Sequence, residues 1–143
     1  MRFRIFGLLT AAFLSAICSG PAATDNGLES ASSFALGGVG VAGTMSAGER
    51  ALRAVLKNPA AVAELEALLA TASPAGKLYA LLGLRIRDRA AYQRALDKCL
   101  TIDAKVKTAR GCMLGQESFR DLVKEIERGY YDTSVTREWP NGM

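Results

Sequence analysis

Cys99 and Cys112, in KCLTIDAKVKTARGCM, are the side chains of this sequence with the widest choice of chemistry. Two thiols can supply a nucleophile and its partner, metal ligands, a redox pair or a covalent cross-link. A thiol nucleophile wants a base, and the chain contains no histidine. That absence also removes Ser-His-Asp and Cys-His catalysis and every zinc site built on imidazole. A metal site needs about four ligands, more than two lone cysteines provide. A redox dithiol usually has C-x-x-C spacing, whereas twelve residues separate these two. The residues and spacing therefore predict a Cys99–Cys112 disulfide, which for a loop near 15 residues would contribute on the order of 3 kcal/mol.

Other chemically suggestive pairs have plainer explanations. Ser73 and Lys77 in SPAGK are four apart, whereas the β-lactamase-like Ser-Lys motif places them three apart, and Ser73 before a proline suits a helix cap. Glu64 with Glu66, and Glu125 with Glu127, are two apart on predicted helices and so diverge. Gly38, Gly40 and Gly43 fit the dinucleotide fingerprint G-x-G-x-x-G. That motif has meaning only between a strand and a helix, and no strong strand signal precedes it; an extended segment is expected instead. No cofactor is expected.

The compartment is read from the first residues, MRFRIFGLLTAAFLSAICSGPAATDNG. Arg2 and Arg4, an apolar run from Ile5 to Cys18 and then small residues have the order of a secretory signal peptide, with cleavage expected after Ala22. The run is shorter than the roughly 18 to 20 residues that span a bilayer, so no transmembrane anchor is expected after cleavage. LSAIC also resembles a bacterial lipoprotein signal with Cys18 as the modified residue, although Ile17 departs from that pattern. Cleavage after Ala22 would leave two cysteines in an oxidising, periplasmic or extracellular setting, which agrees with the disulfide.

The elements that would position these residues are helical. Residues 23–33 are small and polar and predict a flexible linker; residues 34–45 predict the extended Gly-rich segment. Ser46 with Glu49 reads as a capping box, followed by Leu52, Val55 and Leu56 at helical spacing. Asn58-Pro59, Ser73-Pro74 and Asp88 predict three further helix starts, and Ser118 a fifth helix that stops at Gly129. The hairpins 46–71 and 73–100 are similar in outline to HEAT-type helical hairpins, an architectural likeness only, since two copies fall short of a solenoid. The expected fold is all-α: a compact bundle of about five short helices over 46–131, with a tail at 132–143.

Charge is banded. Without Arg2 and Arg4 the chain has 16 basic and 14 acidic residues, a balance of +2. Residues 77–110 hold nine basic residues and three aspartates, while each flank is net negative. Arg85, Arg87 and Arg89, with Lys105, Lys107 and Arg110, would form one basic surface if their turns lie at one end of the bundle. Such a surface fits an acidic protein patch or an anionic envelope surface, and the modest total charge argues against nucleic acid. Phe34 and Trp139 are the alternative contacts. The sequence thus predicts an exported binding or structural domain of the envelope; the alternative is an envelope-acting hydrolase using carboxylates or a Ser-Lys pair.

Overall fold

The computed structural model describes residues 27–138, so the expected signal peptide and its cleavage position, Cys18 and Trp139 lie outside the described residues. The chain runs β1 (Phe34–Val39), α1 (Ala47–Leu56), α2 (Ala61–Thr71), α3 (Pro74–Arg87), α4 (Arg89–Leu100), β2 (Lys105–Gly111), β3 (Met113–Ser118), α5 (Phe119–Glu127) and α6 (Asp132–Thr136). The fold is therefore mixed α/β, and the all-α expectation is corrected. The strands form one sheet in the order β1-β2-β3, with β1 parallel and β3 antiparallel to β2.

The helix signals are local and the structure follows most of them. Ser46 Oγ accepts from Glu49 N, Ser73 Oγ accepts from Gly76 N, and Asp88 accepts from Ala90 N and Ala91 N, so α1, α3 and α4 each start at a side-chain cap. At Asn58 the expectation shifts: its carboxamide accepts from Ala60 N, and α2 begins at Ala61 rather than at Pro59. Helix α3 is the core element. Leu78, Tyr79, Ala80, Leu81, Leu82 and Leu84 are all fully buried, because α1, α2, α4, α5 and the sheet pack around it. This enclosure is why its apolar residues run nearly continuously instead of forming one stripe.

One segment expected to be a flexible linker is ordered, and one inside the expected helical bundle is a pair of strands. Leu28, in the predicted linker, is fully buried, and residues 29–31 bond to the start of α3 through Ser73 N to Glu29 O and Ser73 Oγ to Ala31 O. Gly76 permits this crossing, since a Cβ there would lie 2.1 Å from the Leu28 carbonyl. The stretch between the cysteines is a β-hairpin. Lys105, Val106, Lys107 and Thr108 alternate exposed and buried, the period of a half-buried strand. Arg110 opposite Met113 leaves Gly111 and Cys112 as a two-residue turn, with Gly111 at φ +56°.

That hairpin overturns the disulfide. Cys99 is buried at the end of α4, whereas Cys112 is exposed at the hairpin tip, and both are free. The arm from Lys105 to the tip extends about 3.3 Å per residue, or about 20 Å, far beyond the Cα separation of less than about 7 Å that a disulfide tolerates.

Candidate functional site

The two sheet edges are treated differently. On the outer edge of β1, Ala35 bonds through both its N–H and its carbonyl to the Tyr79 hydroxyl, Ser46 Oγ donates to the same carbonyl, and Gly37 N–H donates to Glu49. Glu49 is fully buried and also receives Arg53, which bonds onward to the carbonyls of Ser134 and Arg137. Side chains thus close the β1 edge. β3 has no such cover: its residues are exposed or half-buried, and among the described residues no side chain bonds to its backbone. An uncovered strand edge is a template for pairing with another chain.

At the turn end of the same hairpin lie the apolar side chains that the fold leaves in water. Val41, Met113, Leu114 and Tyr130 are 97%, 78%, 87% and 60% exposed, and they are the exposed large hydrophobic residues among those described. They lie at one end of the sheet but on two faces, Met113 with Arg110 on one and Leu114 with Ala109, Lys107 and Lys105 on the other. Gly40 N–H bonds to the Gly111 carbonyl, which seats the loop bearing Val41 on the hairpin turn. Tyr130 stacks near Arg110, whose Cζ is 5.2 Å from its ring centroid. An open cleft of about 400 Å³ adjoins them, with Leu36, Gly38, Arg110, Tyr130 and Thr133 in its walls.

Arg110 organises the floor of this region. Its Nη2 donates to Glu117 at 3.1 Å, to Glu125 at 2.7 Å and to the Tyr131 hydroxyl, which itself donates to Glu125. Thr108 Oγ1 completes the network by donating to Glu117. Burial opposes the charged form of Arg110, but the Glu125 hydrogen bond and the surrounding charges hold its guanidinium above the ordinary arginine range. Burial first, then the Glu125 hydrogen bond and charge, pushes Tyr131 above the ordinary phenol range. The two carboxylates converge, yet a guanidinium occupies the space between them where a reacting atom would have to sit. This is a clamp joining β2, β3, α5 and the α5–α6 connection.

The predicted basic residues fall into three places. Arg85 is only 10% exposed and pairs with Asp132, one residue along from the Tyr131 that meets Arg110. Arg87 and Arg89 are exposed at the α3–α4 turn. Lys105 and Lys107 are exposed on the face of β2 that they share with Gln116 and Leu114 of β3. Arg89 opens α4 and Lys105 follows its end, so about 18 Å of helix separates those groups and the single surface does not form.

The other proposed residues have structural partners. Ser73 is used as a cap, Glu64 receives Asn58, and Glu66 pairs with Arg94. Phe34 is 2% exposed between the Tyr79 and Tyr131 rings, so it anchors β1 rather than a partner. Contrary to expectation the fingerprint glycines adjoin a strand, Gly38 lying within β1 and Gly40 and Gly43 following it. However, Gly40 and Gly43 N–H groups bond to nearby carbonyls, and the first turn of α1 already carries the Glu49 carboxylate. Sequence reasoning singled out neither Met113 nor Leu114, and Val41, whose apolar character would place it on the core, is instead 97% exposed. Their one local signal is an apolar residue within two positions of a glycine, which reads equally well as core.

No protein-family model, curated protein or solved structure matches this chain. Its HEAT-like outline therefore has no independent support, and its two hairpins serve as the crossover between β1 and β2.

Proposed function

We propose that this is an exported, non-catalytic interaction domain that receives an extended segment of a protein partner beside β3. The observation that carries the reading is that Val41, Met113, Leu114 and Tyr130 are exposed around one end of a sheet whose β3 edge is uncovered among the described residues. Added strands gain affinity from main-chain bonds and specificity from alternate side chains. Lys105 and Lys107, on the same face as Leu114, suit a segment that mixes apolar and acidic residues. Export rests on the Arg2/Arg4 and apolar-run pattern alone, since the disulfide no longer contributes to it. The hydrolase alternative lacks a free acid–base pair at this site, because Arg110 holds both converging carboxylates.

The test is site-specific photo-crosslinking in the envelope fraction, with the crosslinker at Leu114 or, for comparison, at exposed Asp97 on α4. One defined protein adduct should form from position 114 and be absent from position 97, and Met113→Asp should abolish it. Equal labelling from both positions, or an adduct unaffected by Met113→Asp, would overturn the reading.

A further inference from the structure

A second feature lies on the helical side of the molecule, away from the sheet end. α2 and α4 both pack on α3, and between them is a groove of about 360 Å³. Its floor is apolar, built from Leu69, Ala91, Ala95, Cys99 and Ile102. The gap exists because α4 turns Ala91, Ala95 and Cys99, spaced four apart on one face, toward α2, where larger side chains would have filled it. The Cys99 side chain is 3% exposed, lines this space and has no hydrogen-bond partner among the described residues.

The rim has a different character from the floor. Arg94 reaches from α4 to Glu66 on α2, with Nη2 3.0 Å from Oε1, and both side chains are solvent-exposed. Lys98, one helical turn further on, also lines the groove and makes no ion pair among the described residues. Two cations therefore face one carboxylate at the mouth of an apolar slot. A volume near the lower end of the range for small-molecule sites favours a slender ligand.

We propose that this groove binds a single-chain aliphatic carboxylate, with the chain along Ala91, Ala95 and Cys99 and the head group at Lys98 and Arg94. Charge complementarity selects the head: an incoming carboxylate finds an unpaired ammonium and an exposed guanidinium whose present bond to Glu66 is worth little in water. The apolar floor selects the tail. Cys99 is a wall residue here and forms no bond to the ligand.

Dodecanoate is the probe, and Cys99 and Cys112 of the intact protein supply the readout. Saturating dodecanoate should slow modification of Cys99 by methyl methanethiolsulfonate at least tenfold and leave exposed Cys112 unaffected. Titration calorimetry should give one site per chain, with dodecanol at least tenfold weaker. Lys98→Gln should weaken dodecanoate about tenfold without changing dodecanol, and Ala70→Phe, a substitution at an exposed position in the groove wall, should block both. Absence of calorimetric binding, equal affinity for dodecanol, or binding that survives Ala70→Phe would each overturn the proposal. Because none of these readouts involves β3, they fail or succeed independently of the partner site.

Discussion

The Tyr79 hydroxyl closes Ala35 completely, accepting from its N–H at 2.8 Å and donating to its carbonyl at 2.9 Å. A side chain from the central helix thereby stands in for the neighbouring strand that β1 lacks on this side. Tyr79→Phe keeps the ring against Phe34 but leaves the Ala35 N–H without its partner and its carbonyl with Ser46 alone. The expected loss is about 1–3 kcal/mol, the usual cost of an unsatisfied buried group. Urea unfolding followed by circular dichroism measures it, and a midpoint within error of the parent would show that water or Ser46 replaces the hydroxyl.

Gly76→Ala tests the docking of residues 28–31. With a Cβ only 2.1 Å from the Leu28 carbonyl, the segment or the helix must shift, at a cost of about 1–3 kcal/mol. The segment is the smaller element and should yield first. Limited proteolysis should therefore cut before Ser33 much faster in the variant, while α1–α5 persist.

Arg85 and Arg87 lie two residues apart in the last turn of α3 and should differ in consequence. Arg85 is 10% exposed, lies 5.7 Å from the Tyr92 ring centroid and is held charged chiefly by its hydrogen bond to Asp132. Arg85→Gln should cost about 1–2 kcal/mol through the lost pair and lost packing. Exposed Arg87→Gln should stay below about 0.5 kcal/mol. Equal melting temperatures for the two variants would contradict this placement.

The thiols should be free and unequal. Cys112 should react with a thiol reagent at once and Cys99 slowly, and a reductant should leave the melting temperature unchanged. Burial raises the Cys99 thiol above its ordinary 9.0 and the Tyr79 hydroxyl above its ordinary 10.0; Tyr131 is raised too, by burial and then by Glu125. The folded protein keeps these protons when the unfolded chain has released them, so their contribution is intact below about pH 9 and declines as pH rises beyond it. Cys99→Ala should remove the earliest part of that decline, and Tyr131→Phe a later part. Thermal melts from pH 7 to 11 measure both.

The helices were legible because their signals are local. Ser46, Ser73 and Asp88 cap helices within three residues of themselves, and Gly129 ends α5 with φ +78°. The sheet was not legible in the same way. Val106 and Thr108 do alternate with lysines, but the partner of Thr108 is Phe34, and no local pattern announces a parallel pairing across four helices. The disulfide expectation failed because cysteine spacing and compartment carry no direction: Cys99 turns inward on α4 while the hairpin carries Cys112 away. The apolar sheet end was hidden for a related reason. Val41, Met113 and Leu114 look like core residues until the topology places them at a tip that no other described residue covers.

The pairing of Phe34 with Thr108 also orders events in time. β2 and β3 are adjacent in the chain and can meet within microseconds, as hairpins do. β1 is made first and has to wait, because its partner strand emerges only after α1–α4. Until the crossover closes, Phe34 and the unbonded groups of Ala35 stay open to any extended chain nearby. A chain built this way leaves its first strand exposed for the interval between synthesis of β1 and of β2, and rapid folding of α3, which supplies Tyr79, shortens that exposure.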